Sequence, residues 1–305
     1  MDKKIILTGS NGLLGQKIVN LLTGRPHVQL TATARGINRH PIREGYTYQS
    51  LDLLDEAGWE ALFESIQPTE LINTAAMTMV DKAEGDHETC DQINIDAVQM
   101  LARLCKKYGT RLIHISTDFI FDGTEGPYDE SATPNPVNYY GLSKWKAEQV
   151  IEASGVDHVI LRTILLYGMT PAMSRSNIVL WVKSSLENGK PINIVNDQVR
   201  NPTLAEDLAV ATVSATMRDV KGVYHISGPE TMKISDLAYR IADYWKLDRD
   251  LITEISSDSL NQAAKRPPIT GFVILKAQTE LGYQPHTLEQ GFALLDRQLK
   301  ALENV

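Results

Sequence analysis

The stretch KKIILTGSNGLLG, residues 3–15, limits what this chain can become more than any other. A short apolar run stops at a turn with glycines at 9, 12 and 15, and a helical pattern then continues through Leu22. Glycine permits the tight turn and lets the backbone approach a pyrophosphate closely. The helix that follows offers unpaired N–H groups and its positive end to the phosphates. Three glycines elsewhere would mark only a tight turn. Between a strand and a helix they read as a dinucleotide-binding turn, with Gly9, Gly12 and Gly15 as cofactor residues.

The first half of the chain keeps this alternation. Residues 4–7, 28–33, 70–76, 111–117 and 158–168 read as strands; 55–66, 88–107 and the stretch from 139 onward read as helices. Nearly continuous apolar strands separated by helices imply a parallel sheet covered on both faces, with right-handed crossovers. The expected fold is α/β, a Rossmann-like doubly wound parallel sheet with a smaller C-terminal substrate-binding lobe. Residues 1–168 should form the nucleotide-binding domain, with segments at about 197–228 returning to it. Residues 169–305 should mainly build the lobe. In this half, 174–188, 204–216 and 233–245 read as helices, and 191–197 and 222–228 as strands. The last helix sets Leu288, Phe292, Leu295 and Leu299 on one face.

Composition removes several function classes. A net charge of −8 gives a nucleic-acid partner little electrostatic support. The opening apolar run is too short for a signal peptide and no apolar stretch is long enough to span a bilayer. A cytoplasmic protein without a membrane partner is expected. Cys90 and Cys105 lack metal spacing and read as buried thiols of a reducing compartment. The seven histidines are scattered, so no metal site is expected. Asp81, Glu84 and Asp86 read as a solvated helix start.

The second strand ends TATARG, and no Asp or Glu stands between Val28 and Arg43. An acid there would grip the ribose hydroxyls of NAD. Arg35, Arg39 and Arg43 occur instead, and arginine suits a 2′-phosphate. NADPH is the expected cofactor, read by Arg35, with NADH as the alternative.

The segment NPVNYYGLSKWKAEQ, residues 135–149, carries the catalytic signal. Tyr140 and Lys144 share a helix face, and of eleven tyrosines only Tyr140 has a lysine four residues on. A phenol, with a pKa of about 10, is a poor acid–base group at neutral pH. A nearby ammonium stabilises the phenolate and so equips the phenol to exchange a proton with a substrate oxygen. The strand RLIHIST ends at Ser116, Thr117 and Asp118. Ligands of open parallel sheets lie at the carboxyl ends of strands, where a hydroxyl can bind a developing oxyanion. His114, between Ile113 and Ile115, reads as a core histidine.

The glycine turn, the STD strand end and the Tyr-x-x-x-Lys helix together resemble the extended short-chain dehydrogenase/reductases. The closer resemblance is to the dTDP-4-dehydrorhamnose reductase family. Its motifs run along nearly the whole chain: TGSNGLLG, NTAAMTMVDKAE at 73–84, QINIDA at 92–97, ISTDFIFDG at 115–123, YYGLSKWKAE at 139–148, LRTILLYG at 161–168, DQVRNPTLAEDLA at 197–209 and KRPPITGF at 265–272. The resemblance implies an NAD(P)H-dependent oxidoreductase that reduces the C4 ketone of a deoxy sugar nucleotide, dTDP-4-dehydrorhamnose to dTDP-rhamnose. It implies that Gly9, Ser10, Asn11, Gly12, Leu13, Leu14 and Gly15 line the phosphates. Asp52 and Leu53 should face the adenine, and Ala75 and Ala76 the ribose and nicotinamide. Asn94 should support the site from the neighbouring helix, on the cofactor side. Thr117, Tyr140 and Lys144 would be the catalytic set, with Tyr140 and Lys144 also touching cofactor. Val80, Asp118, Phe119, Asn177, Gln198 and Arg266 would surround the sugar nucleotide. A homodimer would suit the fold.

The chain departs from the family pattern where the sugar should lie. Tyrosine is common at the positions of Met77 and Phe119, tryptophan at Leu165 and glycine at Arg200. The late signature, usually Arg-Pro-x-Asn-Ser-x-Leu, reads Arg266-Pro267-Pro268-Ile269-Thr270-Gly271-Phe272. The catalytic positions are spared. Two other readings keep the fold: a sugar-nucleotide epimerase, and a non-catalytic NADP-binding regulatory subunit similar to that of methionine adenosyltransferase.

Overall fold

A computed structural model describes residues 2–171, 173 and 176–303. Its centre is a seven-stranded sheet in which every neighbouring pair is parallel. In spatial order the strands are Gly222–Ile226, His158–Thr163, Arg111–Thr117, Glu70–Asn73, Lys3–Thr8, Val28–Ala34 and Thr47–Ser50. The α/β reading is therefore correct.

Successive side chains of a strand point to opposite faces, and here both faces are buried. Ile5, Leu7, Ile72, Ile113 and Leu161 enter one core, under the helices Leu13–Leu22 and Ala205–Met217. Ile6, Leu71, Leu112 and Ile160 enter the other, against Trp59, Phe63, Leu101, Leu104 and Ile151. This two-sided burial is why the strands read as unbroken apolar runs.

The chain first winds outward from Lys3–Thr8 to Val28–Ala34 and Thr47–Ser50. It then crosses back to Glu70–Asn73, on the other side of Lys3–Thr8. The reversal leaves a crevice at the carboxyl ends of these two central strands, the place where open α/β sheets bind ligands. Late segments rejoin the large layer: Gly222–Ile226 extends the sheet, and Ala277, Leu281 and Tyr283 lie in its core. A second core holds Val179, Val182, Leu237, Ile241, Leu288, Phe292 and Leu295, with Leu299 packed at its edge. The expected apolar face of the last helix is the one that is buried.

Several boundaries differ from expectation. The strand expected over 70–76 stops at Asn73, because Thr74 and Ala75 turn back toward Thr8. The one expected over 158–168 breaks after Thr163 and resumes as Leu166–Tyr167, with Leu165 in the left-handed region at φ 40°. The helix expected over 88–107 is His87–Asp91, a π-helical turn Gln92–Asp96, and Ala97–Tyr108. The helix expected over 174–188 is Ile178–Glu187; residues 174 and 175 lie outside the described residues. The edge strand Thr47–Ser50 was not expected. Three of its four residues are exposed, so its sequence carries no apolar signal.

Glu148 lies under this framework, fully buried, and its carboxylate receives Arg162 Nε at 3.1 and 3.2 Å and Arg162 Nη2 at 2.7 Å. Ser116 Oγ also donates to it. Removing one member of a buried pair strands the other charge away from water. Glu148→Ala is expected to destabilise the protein by about 3–5 kcal/mol, measured by urea unfolding.

Candidate active site

The glycine turn occupies the central crevice. Gly9 has φ +66°, and a Cβ there would sit 2.7 Å from Thr74 Oγ1 and 2.9 Å from the Ala75 nitrogen. Gly12 donates its N–H to the Gly9 carbonyl at 2.9 Å. A Cβ on Gly15 would meet that carbonyl oxygen at 2.3 Å. Gly9 and Gly15 are closed to any side chain. Ser10 is 2% exposed, and its Oγ has no hydrogen-bond partner. An orphaned hydroxyl at a helix start, beside a glycine with no room for a Cβ, fits a pyrophosphate. Asn11 does another job: its side chain donates to the Ile37 carbonyl and accepts from the Arg39 N–H, both at 2.8 Å, fastening the 36–40 loop to the turn. Leu13 is half-buried at the surface of the turn, whereas the Leu14 side chain belongs to the core.

Arg35 and Asp52 meet at the end of the second and third strands, 3.8 Å apart, with side chains 86% and 47% exposed. So open a pair contributes little to stability and leaves the guanidinium available to a ligand. Leu53 is half-buried on the Trp59 core. Ala75 and Ala76 are half-buried in the returning loop, and Ala75 N–H is held by Thr8 Oγ1 at 3.1 Å. Asn94 grips the same loop, accepting from Met77 N–H at 2.9 Å and donating to Met77 O at 3.1 Å and Ser143 Oγ at 2.9 Å. Its contacts are thus with protein, joining the loop to the helix of Tyr140 and Lys144.

That helix, Tyr139–Ser154, is capped by Asn138, whose side chain accepts the Gly141 N–H at 2.8 Å. Tyr140 is 9% exposed and packs with Met77 and Cys90. The Phe119 ring meets it edge-on at 5.9 Å. Lys144 is 2% exposed, and its Nζ donates to the Ile115 carbonyl at 2.7 Å. Burial brings the Lys144 pKa down to about 8, against the opposing pull of Glu148 and Cys90. His114 is fully buried, as expected, but it is not inert: its Nε2 lies 2.9 Å from Lys144 Nζ. Cys90 and Cys105 are both buried and free, as expected. Thr117 ends the neighbouring strand, its hydroxyl donating to Asp118 Oδ1 at 3.1 Å and accepting from Phe119 N–H at 3.2 Å.

The residues expected around the sugar nucleotide divide. Asp118 is 3% exposed and engaged by Thr117, Thr270 and, at 3.7 Å, Arg200 Nε. Burial pushes its carboxyl pKa up, against Arg200. Arg266 makes a two-pronged pair with Asp81, at 2.7 and 2.6 Å, which ties the late segment to the helix Val80–Gly85. Val80 packs beside Met77 and Tyr140. Asn177 caps its helix and donates to the Gly168 carbonyl at 2.6 Å. Gln198 is half-buried; its carbonyl accepts Ile234 N–H at 3.0 Å. The acids read as a solvated helix start do include two at helix starts, the half-exposed Asp81 in the first turn of Val80–Gly85 and Asp86 as the N-cap of His87–Asp91. Each acid also has a partner: Asp81 has Arg266, Glu84 has Tyr139 N–H at 3.0 Å, and Asp86 has Thr89 N–H at 3.1 Å.

Two further residues belong here: Arg200, read from the sequence only as a departure from the family pattern, and Thr163. Arg200 is 3% exposed, donates to the carbonyls of Val199, Pro267 and Pro268, and lies over the Phe119 ring. Thr163, opposite Thr117 in register, has a buried hydroxyl without a partner. The polar ends of their strands were the available signal.

Comparison with known proteins gives the family and the fold. Residues 3–300 match the family described as RmlD substrate binding domain. The chain is similar to the dTDP-4-keto-6-deoxy-D-glucose reductase of Streptomyces niveus, 30% identical over 272 residues and 88% of each chain. It is equally similar to methionine adenosyltransferase 2 subunit beta of Xenopus laevis, 30% identical over 272 residues, 87% of this chain and 79% of that one. Among solved structures, the dTDP-4-dehydrorhamnose reductase of Bacillus anthracis str. Ames in complex with NADP has a TM-score of 0.83 at 26% identity, covering 98% of this chain and 100% of that one.

Proposed function

Because the chain belongs to the RmlD substrate binding domain family and is an NAD(P)-dependent oxidoreductase, we propose that it uses NADPH to reduce the C4 ketone of a deoxy sugar nucleotide. The preferred substrate in this reading is dTDP-4-dehydrorhamnose, giving dTDP-rhamnose. The observation that carries it is the buried Lys144, anchored on Ile115 O, on the helix of Tyr140 and beside the strand that ends in Thr117.

The roles follow from position and chemistry. The N–H groups of the glycine turn and Ser10 Oγ hold the phosphates, Arg35 reads a 2′-phosphate, and Ala75 and Ala76 flank the nicotinamide end. Bound NADPH supplies the hydride. Tyr140 gives its phenolic proton to the oxygen at C4, and the Lys144 ammonium stabilises the phenolate left behind. The Thr117 hydroxyl turns from Asp118 to the same oxygen and steadies its developing charge. Phe119 has no proton to give, so elimination of water, which needs an acid to protonate a departing hydroxyl, is not supported here.

Arg35→Ala is expected to raise KM for NADPH about 10- to 100-fold and to leave KM for NADH nearly unchanged, the loss of one charge-assisted contact to phosphate. Steady-state kinetics with both nucleotides measures the difference. The reaction itself is tested by NADPH oxidation at 340 nm with dTDP-, UDP- and GDP-linked 4-keto-6-deoxy sugars. Consumption with the dTDP sugar and formation of dTDP-rhamnose are expected. Bound NADPH with no consumption on any of these sugars would overturn the reading.

The identity with methionine adenosyltransferase 2 subunit beta supports a second reading, a nucleotide-binding regulatory subunit. A stable complex with a methionine adenosyltransferase on size exclusion, without ketone reduction, would favour it. The retained Thr117, Tyr140 and Lys144 favour the reductase.

A further inference from the structure

Thr8, Asn73 and His114 form one row across three adjacent strands: Thr8 is opposite Asn73, and Asn73 is opposite His114. They are 1%, 1% and 0% exposed, so hydrogen bonds in the row have no water to fall back on. The row ends at Lys144 Nζ, 2.9 Å from His114 Nε2.

Hydrogen-bond capacity orients every member. Thr8 Oγ1 accepts from Thr74 N–H and Ala75 N–H, each at 3.1 Å. A hydroxyl has two lone pairs and one proton. Both lone pairs are filled, so the proton goes to Asn73 Oδ1, 2.6 Å away. The amide oxygen of Asn73 therefore faces Thr8, and its NH₂ faces His114 Nδ1 at 3.1 Å. Turning the amide over would give Thr8 a third donor and leave its own proton without an acceptor.

With Nδ1 accepting, the single N–H of a neutral imidazole is on Nε2. Burial holds the His114 pKa well below the ordinary range, so the ring is neutral. Nε2–H points at Lys144 Nζ. An ammonium has three donors and no lone pair; only the neutral amine accepts this N–H.

We propose that His114 is a positioning residue that sets the charge of Lys144: through its Nε2–H it favours the neutral amine. The other titratable groups about Lys144 include Tyr140, one turn earlier on its own helix, Glu148, on the same helix and already paired with Arg162, and Cys90; His158 acts on His114. Protonation of Lys144 takes one proton from solvent, moves the His114 proton from Nε2 to Nδ1 and turns the Asn73 amide. The consequence for turnover rests on the reductase reading; the tautomer does not.

The tautomer is read directly on the nucleotide-free, ¹⁵N-histidine-labelled wild-type protein at about pH 10, well above the Lys144 pKa of about 8, where the amine is neutral, with His114 assigned by its absence from His114→Gln. Nε2–H with a bare Nδ1 is expected, and Nδ1–H would overturn the proposal. The pH profile of kcat is the second readout. The ammonium is present below the lysine pKa and lost above it, so kcat falls as pH rises through that pKa. Thr8→Val removes the proton that orients Asn73, frees the amide to turn and should move this limb up by about one pH unit, a tenfold change in the charge equilibrium. Thr8→Ser should leave it in place. A slower Thr8→Val enzyme with an unmoved limb would reduce the row to packing and defeat the proposal. If Thr8→Val does not fold, the wild-type tautomer decides.

Discussion

Tyr140→Phe is expected to lower kcat by about 10²–10⁴-fold, the range for loss of a positioned general acid. Its affinity for NADPH should stay within a few-fold, because the phosphates and the 2′-phosphate are assigned to Gly9–Gly15, Ser10 and Arg35. The substitution removes one oxygen and keeps the ring. Tyr140 packs against Met77 and Cys90 and meets the Phe119 ring edge-on, so the apolar contacts that seat the side chain survive. Nucleotide affinity by fluorescence titration, beside turnover on the same preparation, separates the two effects. Equal losses in binding and turnover would place Tyr140 in nucleotide binding rather than in proton transfer.

Gly141→Ala should be nearly as damaging, for a reason that lies in backbone contact. A Cβ on Gly141 would sit 2.0 Å from the Phe119 carbonyl oxygen and 2.8 Å from its carbon. Neither is the end of a flexible side chain, so the helix Tyr139–Ser154 must draw away from the turn Asp118–Ile120. This separates Tyr140 and Lys144 from Thr117. Forcing atoms into a packed contact costs about 1–3 kcal/mol. A displacement of about 1 Å in a catalytic group costs on the order of 10²-fold in rate. Gly141→Ala should therefore unfold at lower urea and lose kcat about 10²-fold, with NADPH affinity little changed. In an ordinary helix interior the same substitution would stabilise; a more stable, fully active variant would show that the close approach is not needed.

The strands that build the crevice were legible because each is buried on both faces and so reads as an apolar run. TYQS at the sheet edge is mostly exposed and gave no such signal. Leu165 ended a strand early through a left-handed backbone conformation, which its side chain does not announce. The glycine turn and the Tyr140–Lys144 pair were visible because their spacing is local. The cluster of Asp118, Arg200 and Thr270 was not. Its members come from three distant segments, and their hydrogen bonds exist only after the late chain has folded back. His114 is the instructive intermediate: its apolar neighbours correctly placed it in the core. Its partners, Asn73 and Lys144, became apparent only from strand register and the packing of a helix 30 residues away.

The central claim is hydride delivery to a sugar carbonyl, and the most direct measurement follows the hydride. NADPH carrying deuterium at the transferable position of C4 is incubated with the purified protein and dTDP-4-dehydrorhamnose, and the sugar is examined by mass spectrometry and NMR. One deuterium at sugar C4 for each NADPH oxidised, formed about 10²–10⁴-fold more slowly with Tyr140→Phe, is the predicted result. Deuterium retained in the nucleotide, with NADPH bound and the ketone unchanged, would contradict the account.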